Sequence, residues 1–249
     1  MQIQKTLRLN INGEEKIIYF GNPTTQDELM QMYSLRYRVY VKKGFIDPNF
    51  YPNGLDKDNY DDDKKSIYFI ASIDKRVFGA VRLIRDIPLP TENIFKFSEP
   101  DAMKKIAPKH RAEVSRLVVE PYDKETYLPR NLTMLFLFGC VVSYAKEHGI
   151  IGGYSFVKKS LLYKLKKIKT PISLISSYTM EYPVDGVLYK YFTQKENPAV
   201  PVFFYTENVH KWAYDIINSN KMFKCVEIGK HYILKENFYN AFLRKLNII

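Results

Sequence analysis

Arginines recur in this chain at positions where apolar side chains are expected. Four charged blocks follow one another in order: LRYRVY at 35–40, DKDNYD at 56–61, VFGAVRL at 77–83 and AEVSRLVV at 112–119. On a helix through the first block, Arg36 shares a face with Leu29, Met32, Tyr33 and Tyr40, while Gln31, Ser34 and Arg38 fall on the polar side. Arg82 alternates with Phe78, Ala80 and Ile84 along one strand face. An inward guanidinium needs a carboxylate beside it, and Asp56, Asp58 and Asp61 of the second block supply three. Glu113 and Arg116 lie three apart on a strand; a regular pleat puts them on opposite faces, and a β-bulge between them would bring both into one cleft. The fold must therefore gather a helix, an acidic loop and two strands around one charged cluster. A purely structural ion-pair network fits the same residues.

With 249 residues, 46% of them hydrophobic, the chain can build one large domain, or a domain with an appendage. The formal charge of +11 points to an acidic partner, although a solvated lysine-rich surface gives the same number. Cys140 and Cys225 are too far apart for a metal motif or a disulfide framework, and no metal is expected. The aspartate run resembles a calcium loop but lacks its turn glycine and its terminal glutamate. The N-terminal stretch alternates like a strand, without the apolar region of a signal peptide. The longest apolar run, Leu132 to Val142, is too short to span a bilayer. A cytoplasmic protein with no transmembrane segment is expected.

Residues 3–20 read as a hairpin turning at Asn12-Gly13. Thr25 followed by Glu28 forms a capping box that opens a helix toward Lys42. A polar loop at 47–65, strands at 66–73 and 77–85, an irregular stretch at 86–111 and a strand at 112–119 follow. Pro129 opens a helix that Gly149 stops. A strand at 151–157 leads into a lysine-rich helix at 158–169. Further strands are expected at 171–178, 187–192 and 201–205, then a tail of helix, short strand and helix. This order predicts an α/β (α+β) fold, a mixed sheet with helices on both faces.

The four blocks together resemble those of the acyl-homoserine lactone synthases, the autoinducer synthases of the GNAT acyltransferase superfamily, and of their relatives the N-acyl amino acid synthases. Arg36 falls on the arginine of the first motif, with Tyr40 where phenylalanine is usual. Asp58 and Asp61 fall on the two aspartates of an E-x-D-x-(Y/F)-D block, with Asp56 replacing its glutamate. Arg82 matches the arginine of G-x-x-R-L, and Glu113, Ser115 and Arg116 match E-x-S-R intact. The resemblance covers roughly residues 5 to 205, so residues 1–206 are read as a GNAT-like core and 207–249 as a helical extension. The tryptophan expected after the first motif is missing, with Phe45 and Ile46 near its place. The glycine-rich pyrophosphate loop of coenzyme A-dependent relatives is replaced by TYLPRNLT at 126–133.

The resemblance implies a GNAT-like fold with two splayed parallel strands, here 112–119 and 151–157, that hold a thioester arm between them. It implies no bound cofactor, an acyl carrier protein donor ahead of acyl-coenzyme A, and a small amine acceptor, either an amino acid or S-adenosylmethionine. Glu113 is the first candidate for the base and Asp58 the second, with Arg116 beside them. Arg36, Asp61, Arg82, Tyr40 and Ser115 are read as acceptor-side residues, the arginines holding a carboxylate or other anionic group. Phe95, Phe97, Tyr154 and Phe156 are read as lining the acyl slot. Arg130, Lys158, Lys159, Lys166 and Lys167 are read as docking an acidic carrier protein. A homoserine-lactone product made from S-adenosylmethionine is the alternative within the family. A basic module that binds nucleic acid or membrane is the alternative outside it. Nucleic acid is disfavoured because the basic residues carry no known nucleic-acid motif.

Overall fold

The computed structural model describes residues 1–11, 14–62, 65–120, 130–218 and 225–234. The expected turn at Asn12-Gly13, most of the 126–133 segment, and the final helix expected after residue 234 lie outside the described residues.

Strands β1 (Gln2–Ile11) and β2 (Glu14–Asn22) pair antiparallel and lead into helix α1 (Gln26–Lys42). The capping box forms as expected: Thr25 Oγ1 accepts from Glu28 N, and a Glu28 carboxylate oxygen accepts from Thr25 N. After the short helix α2 (Asn59–Asp62) come β3 (Ser66–Ile73) and β4 (Arg76–Ile84). The stretch expected to be irregular holds short pieces of structure: α3 (Pro90–Ile94), β5 (Phe95–Phe97) and α4 (Asp101–Lys104). Then follow β6 (Arg111–Val119), α5 (Arg130–Glu147), β7 (Gly152–Lys158) and α6 (Lys159–Lys167).

The expected strand 171–178 is instead two short strands in different sheets, β8 (Ile172–Leu174) and β9 (Tyr178–Met180). The expected strand 187–192 is a helical turn, α7 (Tyr189–Thr193). Its β-prone residues were misleading. Tyr191 and Phe192 serve a tertiary cluster, packing on Phe156, and Phe192 also packs on Phe95. The chain continues through β10 (Ala199–Tyr205), α8 (Thr206–Asn218), β11 (Cys225–Ile228) and β12 (His231–Leu234).

Ten described strands form one mixed sheet in the order β11-β12-β1-β2-β3-β4-β6-β7-β10-β8, and β5 pairs with β9 in a second, two-stranded sheet. In the large sheet β12 with β1 and β6 with β7 run parallel, and the other pairs are antiparallel. One face packs on α5 and α8 through Phe20, Phe69, Phe136, Leu137 and Ile217. The other face packs on α1 through Met32, Tyr33, Leu35, Ile70 and Val118. Full burial of each such side chain contributes roughly 1.5–3 kcal/mol.

The seam between β6 and β7 is short. Only Arg111–Gly152, Ala112–Gly153 and Glu113–Tyr154 pair, and beyond them the strands diverge. Gly153 is required where they meet, since a Cβ there would lie 1.7 Å from the Ala112 carbonyl oxygen.

Candidate functional site

A β-bulge in β6 organises the charged cluster. Across from β4, Arg82 pairs with Ser115 but Ala80 pairs with Val118, so β6 carries one extra residue. Arg116 sits there at φ +54°, in the left-handed region that L-residues avoid at a cost of about 1–2 kcal/mol. Ala112, Val114, Leu117 and Val119 pack toward α5, while Val118 packs toward α1. The bulge thereby turns Arg116 to the α1 side, where Ser115 already bonds Arg82.

On that side three arginines meet three aspartates. Arg36 Nε donates to Asp56 at 3.0 Å, and its two terminal nitrogens donate to Asp61 at 3.1 and 2.9 Å. Arg82 donates to Asp58 at 2.6 and 2.9 Å, to Asp61 at 2.9 Å and to the Ser115 hydroxyl at 3.0 Å. Arg116 bonds Asp58 at 2.9 Å and lies 3.0 Å from Asp56. Tyr68 also donates to Asp61. Tyr40 lies under the Arg116 guanidinium, 5.6 Å from its ring centroid. Burial opposes ionisation of Asp61 and Asp58, yet the arginines beside them hold both carboxyls below the ordinary aspartate value. With three charges of each sign, the cluster is internally balanced. The arginines expected to hold an acceptor carboxylate are already committed to aspartates. Only Asp58 reaches solvent, at 24% side-chain exposure.

Glu113 lies apart from this network. It is 0% exposed beneath α3, and its Oε2 accepts from Thr91 N at 2.7 Å. Its Oε1 has no hydrogen-bond partner among the described residues. Burial pushes its pKa up to about 8. The bulge puts Glu113 and Arg116 on one face, but no described contact joins them.

A cavity of about 100 Å³ opens where β6 and β7 separate. On the α1 side it is bounded by Tyr40, Ser115, Arg116 and Tyr191; on the α5 side by Phe138, Val142, Leu165, Phe204, Val209 and Trp212. It therefore passes through the sheet, charged at one end and apolar at the other. Phe156 lines it, whereas Phe97 and Tyr154 do not; they meet edge to face, centroids 5.6 Å apart, in a separate cluster with Leu89 and Met103. Phe95 is buried against Tyr178 and Phe192. Sequence reasoning missed Phe138, Val142, Leu165 and Trp212. The largely apolar 132–142 helix segment and the single tryptophan were the available signals. Trp212 is fixed by a hydrogen bond from its indole N–H to Ile168 O at 2.9 Å.

The lysines of the basic segment divide. Lys159, Lys166 and Lys167 are exposed on α6, whose Leu161 and Leu165 wall the cavity from within. Lys158 is 4% exposed and does not belong to that surface. Its ammonium donates to Tyr191 O and lies 4.8 and 4.4 Å from the ring centroids of Phe45 and Tyr191. Burial pulls its pKa down to about 8. The side chain of Arg130 lies outside the described part of the chain. Among the described residues there is no cluster of three or more metal-ligating side chains, and no helix is long and apolar enough to cross a membrane.

The model of the family described as N-acyl amino acid synthase FeeM matches residues 31–159, the stretch that carries all four charged blocks and the splayed seam. The chain belongs to the FeeM N-acyl amino acid synthase family. It is thus an acyltransferase, and the family's chemistry is acyl transfer to an amine. Among solved structures, it is similar to the acyl-homoserine lactone synthase LasI, with a TM-score of 0.50 and 16% identity over 77% of this chain and 90% of that one. It is also similar to TofI, solved in a ternary complex with an inhibitor and MTA, with a TM-score of 0.51 and 16% identity over 79% and 95%. FeeM itself, from uncultured soil microbes, gives 0.48 and 14% identity over 79% and 93%. At these identities the likeness to LasI and TofI is one of fold, the GNAT-like acyltransferase architecture of the FeeM family. No curated relative matches the sequence.

Proposed function

We propose that the chain is a cytoplasmic enzyme that moves a fatty acyl group from an acyl carrier protein thioester to the amine of an amino acid or related small molecule. The cavity through the sheet is the observation that carries this reading. A fatty acyl transfer needs an apolar slot for the tail and a polar station for the amine, and the gap between β6 and β7 joins one to the other. The acyl chain lies among Phe138, Val142, Leu165 and Trp212, with the thioester carbonyl at the bulge. Residues 1–206 form the transferase core, and the 207–249 extension contributes Val209 and Trp212 of α8 to the cavity wall.

The amine nitrogen attacks the thioester carbon. A C–N bond forms, the C–S bond breaks, and the thiol leaves with the proton that the amine gives up. Backbone N–H groups freed by the bulge stabilise the oxyanion. Glu113, directly or through water, takes the proton that the acceptor's ammonium must lose before it attacks and passes it to solvent, and its free Oε1 lone pairs suit that role. Magnitude favours it over Asp58. Whatever the acceptor ammonium's own pKa, protonating a carboxyl below its ordinary 3.8 costs at least ~5 kcal/mol more than protonating Glu113 at about 8. Asp58, Asp61, Arg36, Arg82, Arg116, Ser115 and Tyr40 then hold the bulge and the amine-side wall in place.

Lys159, Lys166 and Lys167, on the outer surface of the helix that walls the cavity, supply the positive face for an acidic carrier. Without a glycine-rich loop at 126–133, a carrier is favoured over coenzyme A as donor. Mass spectrometry of lipid extracts from cells expressing the wild type and Glu113→Gln tests the reading. The expected result is a new N-acylated amine in the wild type that is absent in the variant. No acylated amine from folded wild-type protein with ample acyl donor would refute it, and an acyl-homoserine lactone would move the assignment to that product.

A further inference from the structure

Two buried polar atoms without a hydrogen-bond partner among the described residues belong to one contact: Oε1 of Glu113 and Oγ1 of Thr91. Both residues are 0% exposed, and Thr91 N donates to Glu113 Oε2 at 2.7 Å. An unpaired polar atom at such depth costs stability. Two of them on residues that already touch point to a shared role.

The local backbone explains half of the arrangement. Thr91 is the second residue of α3, and Pro90 before it has no N–H. The Thr91 N–H is thus the first donor of the helix and has no acceptor within it. Glu113 Oε2 takes that donor, as Glu92 takes the Leu89 N–H at 2.7 Å. A backbone N–H only donates, so Oε2 stays an acceptor whether or not Glu113 is ionised. The proton of the neutral carboxyl is then confined to Oε1. That atom must donate in one state of the base and accept in the other. A hydroxyl can turn to match either state, because it holds one donor and two lone pairs.

The groups around Glu113 leave this task to Thr91. Burial is the strongest influence and favours the neutral carboxyl; the Thr91 N–H, the Thr91 hydroxyl and Arg82 of β4 act against it, while Glu92 of α3 acts with it. Tyr60 of α2 also feels the charge of Glu113. None of these groups bonds Oε1, and the Thr91 hydroxyl lies beside it without being aligned to it.

We infer that the Thr91 hydroxyl is the positioning partner of Glu113, accepting from Oε1 while the carboxyl is neutral and donating to it once ionised, so that one side chain serves both states of the base. This rests on Glu113 as the base and adds a residue that acts through it without touching substrate.

The test compares wild type, Thr91→Val and Thr91→Ser as full chains, with a fatty acyl-carrier thioester and an equimolar mixture of the standard amino acids as acceptor. Valine keeps the shape of threonine and the N–H to Oε2 but has no hydroxyl. In Thr91→Val the ionisation limb of kcat/KM should move up by about one pH unit, roughly a tenfold loss at pH 7, because a hydrogen bond to a charged acceptor is about twice as strong as one to a neutral acceptor. Thr91→Ser should return the limb toward its wild-type place. Denaturant midpoints give a second readout that needs no catalysis. A native carboxyl that ionises later goes on losing stability to higher pH, so Thr91→Val should drop further behind wild type between about pH 7 and 9. A lower rate with the limb unmoved overturns the inference, as does a limb that Thr91→Ser shifts as far as Thr91→Val does. If Thr91→Val fails to fold, Thr91→Ala, which also lacks the hydroxyl, takes its place. Failure of the underlying reading looks different: the limb would survive in Glu113→Gln, or folded wild type would acylate no amine, and the inference would fall with it.

Discussion

Replacing Glu113 by glutamine tests both the burial of this residue and its role as a base. Burial raises its pKa from 4.5 to about 8. The native state therefore keeps a proton that the unfolded chain releases near 4.5. Stability from this group is complete below about pH 4.5 and is lost as pH rises through about 8. At ~1.4 kcal/mol per pH unit the full span is on the order of 5 kcal/mol. Glutamine matches the protonated side chain in shape and does not titrate. Denaturant midpoints for the two proteins should thus lie close together at pH 5. By pH 9 the wild type should fall behind Glu113→Gln by several kcal/mol. Activity should separate in the opposite sense. At pH 7 roughly a tenth of Glu113 is ionised, so wild-type kcat/KM should climb toward a plateau above pH 8. In the variant only the limb set by the acceptor amine should remain, at a rate lower by about 10²–10⁴-fold. A stability gap that does not change with pH would refute the burial argument. An unaltered rate profile in Glu113→Gln would refute its role as base.

The other tests address separate parts of the site. Arg82→Met leaves Asp58 and Asp61 short of a partner inside the cluster, and the denaturation midpoint should report a loss of roughly 3–5 kcal/mol. Trp212→Ala enlarges the apolar end of the cavity, so product mass spectrometry should show a shift toward longer acyl chains; an unchanged length distribution would remove Trp212 from the acyl wall. Charge reversal at Lys166 and Lys167 should raise KM for the acyl carrier several-fold, more steeply at low salt, and leave a carrier-free thioester unaffected. Equal losses with both donors would exclude docking there.

Much of the charged cluster could be read in the sequence, because helical and strand periodicity dictate where a side chain points. Arg36 had to face inward, and its partners had to come from the only dense aspartate run. The bulge could not be read, since it depends on Arg116 adopting a conformation that no residue type there advertises. The cavity was half legible. Phe156 followed from the splayed strands, but Phe97 and Tyr154 were assigned on aromatic character alone, and tertiary packing took them elsewhere. Lys158 was misplaced for a related reason. A lysine-rich run looks uniformly solvated, yet its first member ends a buried strand rather than joining the helix surface.

The parallel pairing of β12 with β1 has a consequence for how the chain is made. Thr6 lies opposite His231, 225 residues later. At about 5–20 residues per second, the ribosome takes roughly 10–45 s to deliver the second strand after the first. Throughout that interval one long edge of the nascent N-terminal hairpin lacks its final neighbour, an open template for pairing with other chains. The helix carrying Trp212 emerges only shortly before, so that wall of the cavity and the sheet edge are completed close together in time.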